Sequence, residues 1–381
     1  MSVKILGSSP VALRLLLTVA VVLALTACFS GSKRPEPAAL TANPGLIAPR
    51  MAWSAQVGRV DTRLDIGVSG RTAYFVGADG VVVALDANSG RELWRSALGV
   101  QASSGVGSDG IRSAVVTRTN ELVVLEAGRT VWRTKLSAQA YLAPLVAAGR
   151  VFVLTADRAV TAWDAQTGQQ LWTQRRPNEP LVLRQPGVML VSGNVLLVGL
   201  SGRLVALQPD TGNVRWEAPI ASPRGVNDVE RLVDLVGPAD RQIDSVCARA
   251  FQATVGCVDP SRGTVQWSQA AYGLQGIAGD ANRVYGTESD GKLVAWRRSD
   301  GQRLWSQSLL SQRGLSAPVV LGASVAVADA AGFVHWFSAS SGALLGRVST
   351  DGSAIEAPPV LVDDTLVVLT RNGMAYGFVP Q

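Results

Sequence analysis

Short apolar runs, each closed by a cluster of turn-forming residues, recur along this chain in a fixed frame. One copy reads Tyr74-Phe75-Val76-Gly77-Ala78-Asp79-Gly80, then Val81-Val82-Val83-Ala84-Leu85-Asp86, then Ala87-Asn88-Ser89-Gly90, then Arg91-Glu92-Leu93-Trp94. The pattern predicts strand, tight turn, strand, turn, strand. The frame returns at Val151 to Trp172, at Leu196 to Trp216 and at Val284 to Trp305, with Ala162, Ala206 and Ala295 in register. Weaker copies end at Trp132 and Trp267, and another ends at Gly346, which occupies the tryptophan slot. In every copy a glycine stands four residues before the slot, as in Gly90/Trp94, Gly212/Trp216 and Gly342/Gly346.

Successive slots lie 38, 40, 44, 51, 38 and 41 residues apart. A period of about 40 residues with three visible strands and one preceding strand matches a propeller blade of four antiparallel strands. The preceding strand is expected to start after Pro144, Pro186, Pro238, Pro318 and Pro358. The last strands, Ala357 to Val362, Thr365 to Thr370 and Met374 to Val379, lack a tryptophan strand, and Met51-Ala52-Trp53-Ser54-Ala55 supplies one from the other end. The expectation is an all-β, eight-bladed β-propeller over residues 49–381, its ring closed by the N-terminal strand. The blade-docking tryptophans are Trp53, Trp94, Trp132, Trp172, Trp216, Trp267 and Trp305. Each brings a large apolar body to a blade junction and an N–H that needs an acceptor. Gly346 is expected to leave a poorly filled contact, or a neighbour must fill it.

Composition narrows the chemistry. Charged residues make up 17% and hydrophobic ones 47%, which excludes a disordered chain. One histidine, His335, and three cysteines leave little for a zinc site or a histidine-based triad, so no cofactor or metal is expected. Residues 1–27 follow an export pattern, with Lys4 and Arg14 ahead of an apolar run from Leu15 to Leu25. Without them the formal charge is +4, too small for a nucleic-acid binder of this length. The run ends Leu25-Thr26-Ala27-Cys28, which resembles a bacterial lipobox. That resemblance implies cleavage before Cys28 and lipidation of its thiol. Phe29 and Ser30 come next, with no aspartate to retain the product at the inner membrane, so the periplasmic face of the outer membrane is the expected location. Residues 28–48 read as the acylated cysteine and a flexible tether.

The frame Ala84-Leu85-Asp86-Ala87-Asn88-Ser89-Gly90-Arg91-Glu92-Leu93-Trp94 resembles the docking motif of quinoprotein-type propellers. Two families share it, the pyrroloquinoline-quinone alcohol dehydrogenases and the BamB lipoproteins of the outer-membrane β-barrel assembly machine. The lipobox, the single propeller and the lack of adjacent cysteines favour the second. The resemblance implies a non-catalytic scaffold that binds a POTRA domain of BamA and assists insertion of outer-membrane proteins. It also implies two contact loops. One is Leu181-Val182-Leu183-Arg184 between Pro180 and Pro186; the other is Asp228-Val229-Glu230-Arg231-Leu232-Val233-Asp234-Leu235-Val236. Asp234 matches the first functional aspartate of the family, and Val236 stands where a second would be.

Spacing supports these loops independently. Both come after an outer tryptophan strand and lead to the next inner strand, so they should be neighbours on one face, where long loops concentrate function. Leu181 and Leu183 are expected to anchor a partner, Arg184 to meet its carboxylate and Asp234 its base, with Glu230 and Arg231 alongside. The alternative is that the leucines cover a blade junction and Arg184 binds a local carbonyl or acid. Cys247 and Cys257 face each other across one hairpin and are either a disulfide or two buried thiols. His335, beside Trp336, reads as a core or surface histidine. A quinone-dependent or degenerate dehydrogenase, and a ligand-sensing propeller lipoprotein, remain as alternative functions.

Overall fold

The computed structural model describes residues 35–176, 181–223, 226–227 and 232–380. The chain divides into Met1–Pro37 and Ala38–Gln381, and every strand lies in the second unit. The described residues of that unit form thirty-two strands and no helix. They make eight four-stranded antiparallel sheets, each ordered A to D from the axis outward; blades 2 to 7 span residues 107–135, 145–175, 189–219, 235–270, 277–307 and 319–349. Blade 1 shows the unit: Gly67–Ser69, Thr72–Val76, Val81–Asp86 and Glu92–Ala97. Blade 8 joins Val360–Val362, Thr365–Leu369 and Met374–Val379 to the N-terminal strand Arg50–Gln56. The ring is therefore closed by the first strand, as the repeat count requires. The B and C strands carry the buried aliphatic side chains, and the D strands alternate between the seam and solvent.

The seams explain the repeat. Each outer tryptophan lies against the turn glycine of the next blade. A Cβ on Gly90 would come within 2.6 Å of the Trp53 ring, and one on Gly212 within 2.5 Å of Trp172. These glycines thus serve twice, since their φ angles of 70° and 74° also disfavour a side chain. The indole N–H donates to the carbonyl three residues before the glycine: Trp53 to Ala87 (2.8 Å), Trp132 to Ala165 (3.0 Å), Trp172 to Pro209 (2.8 Å), Trp267 to Arg298 (2.6 Å) and Trp305 to Ala339 (3.1 Å). A bulge precedes each tryptophan in the C–D ladder, as where Ala84 pairs with Trp94 but Leu85 with Glu92. The skipped residues, among them Leu93, Leu171 and Leu304, face outward and break the regularity of the open edge.

Aspartates four residues before the turn glycine accept hydrogen bonds from within their own turns. The Asp86 carboxylate accepts from the Ser89 hydroxyl (2.7 Å) and N–H (2.9 Å), and these bonds hold its pKa below the ordinary carboxylate value. Asp164 is lowered by the Thr167 N–H and hydroxyl, and Asp259 by the Ser261 hydroxyl and N–H. A lowered carboxylate contributes stability above its unfolded pKa and loses it as pH falls through the folded one.

Two local expectations need correction. Pro238 does not open a strand; it lies inside Leu235–Arg241, at a bulge between Val236 and Asp240 and after a cis peptide bond. An irregular inner strand tolerates a residue that cannot donate to the ladder. The tether is not loose as far as residue 48. Ala38 donates to the Ser311 carbonyl (2.9 Å), Arg347 donates to the Thr41 carbonyl (2.6 Å), and Leu46 donates to the Leu345 carbonyl (2.8 Å). Residues 38–47 are thus a strap along the outer strand Leu344–Ser349 of blade 7. The gap at Gly346 is filled by Ile47, whose carbonyl oxygen would be 2.6 Å from a Cβ there. The tryptophan of that blade has moved one strand inward: Trp336 pairs with Gly346 where other blades pair Ala295 with Trp305 or Ala162 with Trp172.

Cys247 and Cys257 are joined as a disulfide between paired strands and are fully buried. The link closes a loop ten residues apart in sequence. Replacing both with alanine should lower unfolding stability by about 2–3 kcal/mol by the loop-entropy account. Urea denaturation of the double variant against the parent, with and without reductant, measures it; no reductant effect on the parent would contradict the bond. His335 is buried, its Nε2 is 3.0 Å from Asp329 Oδ2, and burial lowers its pKa.

Candidate functional site

The D-to-A connections and the B-to-C turns share one face of the disc. Three consecutive connections meet there, from blades 2 to 3, 3 to 4 and 4 to 5. Their meeting is organised by Arg158, which stands at φ 59° in the B–C turn of blade 3. Its Nη1 donates to Asp234 Oδ1 (2.9 Å), and its Nη2 donates to the Leu181 carbonyl (2.8 Å). The second carboxylate oxygen of Asp234 accepts the Leu183 N–H (3.0 Å). The Arg158 and Asp234 side chains are 8% and 13% exposed, so this pair is shielded from solvent screening. One guanidinium and one carboxylate therefore clasp the Leu181–Arg184 loop to the loop that ends at Asp234.

This geometry departs from the expected role of Asp234. Its oxygens are engaged within the chain, so it positions the neighbouring loop rather than meeting a partner base directly. The physical reason is burial: a carboxylate this shielded needs an internal cation, and Arg158 supplies it. Val236 is fully buried in an inner strand, paired with Arg249, so a second carboxylate there would face the core and not a partner. Sequence reasoning missed Arg158, whose only local signal is an arginine in a tight turn after Asp157.

The clasp leaves other groups outward. Leu181 is 39% exposed, Leu183 is half-buried, and Arg184 is exposed. The Arg184 guanidinium lies over the Tyr141 ring at 5.9 Å, a cation–π contact that orients it without consuming its hydrogen-bond donors. Tyr141 comes from the blade 2 to 3 connection. A cleft of about 50 Å³ opens beside Tyr141, with Leu142, Leu154, Leu183 and Leu200 in its walls. Such a surface can seat one apolar side chain beside a guanidinium with donors to spare. Glu230, Arg231 and Asp228 lie outside the described residues, as does Cys28.

The axis is occupied by protein. Arg63, from the segment leading into blade 1, donates to the Gly237 carbonyl (2.9 Å) in blade 5 and to Gln275 in the connection to blade 6. Asp65 holds the same guanidinium at 2.8 Å. Blades 1 and 5 are opposite on an eight-membered ring, so this side chain crosses the channel. Quinone-dependent relatives of the fold would need that space for a flat cofactor, and the residues present do not fit one. The cysteine pair is buried in blade 5 rather than adjacent in sequence. Among the described residues no group of three or more histidine, cysteine or acidic side chains is placed to hold a metal ion.

A filled axis and a clasped, outward-facing set of loops define a propeller of the quinoprotein type whose loops are differentiated on one face. Residues 78–307 match the profile of the family described as outer membrane protein assembly factor BamB. The chain is 37% identical to the factor of that name from Burkholderia pseudomallei, over 95% of this chain and 96% of the relative. It is 35% identical to that from Bordetella pertussis, over 92% and 93%. The chain belongs to the BamB family. Among solved structures, BamB from Moraxella catarrhalis superposes with a TM-score of 0.79 at 23% identity, covering 87% of this chain and all of that one. Quinohemoprotein alcohol dehydrogenase from Comamonas testosteroni superposes with a TM-score of 0.67 at 15% identity, over 87% and 76%, which is a likeness of fold alone.

Proposed function

We propose that this protein is a non-catalytic scaffold of the outer-membrane β-barrel assembly machine. It is held by lipid on Cys28 at the periplasmic face of the outer membrane and binds a POTRA domain of BamA. The observation that supports the contact is the clasp, which holds a loop whose Leu181 and Arg184 side chains are both exposed. Leu181 supplies the apolar anchor and Arg184 pairs with a partner carboxylate; Leu183 shapes the cleft behind them. Glu230 and Arg231 are assigned to the same contact from the second loop. Asp234 acts through the loops it holds. The non-catalytic reading is supported by the protein side chains that fill the axis.

The test is a pull-down with the periplasmic part of BamA. Leu181→Glu combined with Arg184→Ala should fold normally, because both side chains are outward, and should weaken binding at least tenfold, as loss of two central interface side chains does. Unchanged binding by the folded double variant would reject the assignment.

A further inference from the structure

The seam between blades 7 and 8 differs from the other seams in two ways. Its tryptophan stands on the C strand, Trp336, and no indole projects from the D strand at Gly346. Its outer turn is also not covalent. The C strand of blade 8 ends at Val379 and Pro380, and the D strand is approached through Ala48 and Pro49. Between these ends lies a cavity of about 320 Å³, at the low end of the range for small-molecule sites. Its walls include Ile47, Leu321, Trp336, Leu361, Leu366 and Phe378. Trp336 and Phe378 meet edge to face, with ring centroids 6.4 Å apart at 80°, so one side of the cavity is aromatic.

Its polar groups are few. Ser324, which opens the B strand of blade 7, and Asp364, in the A–B turn of blade 8, line it, and no lysine or arginine does. Asp364 is exposed, and among the described residues it makes no ion pair; the nearby Arg71 is engaged by Asp86 and by Asp363 instead. An apolar, partly aromatic cavity with one uncommitted carboxylate complements a planar ring that carries a positive charge.

We propose that the blade 7–blade 8 seam binds an arylalkylammonium group, either as a free amine or as a tryptophan side chain followed by a basic residue. The cavity opens among the A–B and C–D turns, on the face opposite the clasped loops. Its occupation is therefore independent of the partner contact proposed above, and the two can fail separately.

Tryptamine, indole-3-propionate and the dipeptide N-acetyl-Trp-Lys-amide should be titrated against the mature chain, read by ligand-observed NMR. Tryptamine should bind about fivefold or more tightly than indole-3-propionate, which has the same ring and the opposite charge. Asp364→Asn should remove that discrimination while leaving the exposed turn folded. Leu361→Trp, which fills the cavity from its rim, should abolish binding of both ligands. Binding of tryptamine but not the dipeptide assigns the site to free amines, and binding of both assigns it to a peptide side chain. Equal affinity for the two charges, insensitivity to Asp364→Asn, or no binding at millimolar concentration overturns the proposal.

Discussion

Trp53→Ala is expected to lower unfolding stability by about 3–5 kcal/mol, the cost of emptying a well-packed aromatic site. Trp53 is 8% exposed and donates to the Ala87 carbonyl at 2.8 Å. Its indole lies under Gly90 of blade 1 and beside Gly377 of its own blade, where any side chain would collide with it. It therefore belongs to two junctions at once, the seam from blade 8 to blade 1 and the pairing of the N-terminal strand with Met374–Val379. Trp94 provides the control, since it is only half-buried. Trp94→Ala should cost clearly less. Urea midpoints of the two variants decide the matter: a Trp53→Ala loss under about 1 kcal/mol would show that closure does not depend on this side chain.

Arg158→Met should have the larger consequence for binding. Removing one member of a shielded ion pair leaves the other uncompensated, at about 3–5 kcal/mol when the surroundings cannot relax. Here they can relax in part, because what Arg158 and Asp234 hold is two loops rather than a sheet. The free energy should appear first as local opening. The Leu183 amide, which donates to Asp234, should lose its hydrogen-exchange protection, and affinity for the partner should fall at least tenfold, while the unfolding midpoint drops less. Asp234→Asn keeps an acceptor for that amide and should be milder. A variant with an unprotected Leu183 amide and full partner affinity would separate the clasp from the binding face.

The eight blades were legible because one spacing, glycine to tryptophan in four residues, encodes a physical contact between neighbouring blades. The N-terminal strand was legible because a tryptophan strand was missing at the other end. The exchange at blade 7 was also written in the chain, since Trp336 precedes Gly346 by ten residues as Ala295 precedes Trp305. A small–bulky pair inverted to bulky–small is invisible when only one member of the pair is tracked. The partner of Asp234 was not legible, because Arg158 lies 76 residues earlier and only the ring brings blade 3 beside the connection into blade 5. The strap failed for a different reason. Its proline, alanine and glycine content reads as loose chain, but its order comes from groups elsewhere: Arg313 donates to the Ala38 carbonyl and Arg347 to that of Thr41.

Closing the ring with its earliest strand has a kinetic consequence. Arg50 pairs with Val379 and Gln56 with Met374, partners separated by more than three hundred residues. Contacts of such high order form slowly, because the chain entropy between them must be surrendered before the pairing gives anything back. During synthesis the leading strand waits, unpaired and able to join strands of other molecules. Chains that stop before Met374 should stay open and be cleared by proteolysis out of proportion to the few residues they lack.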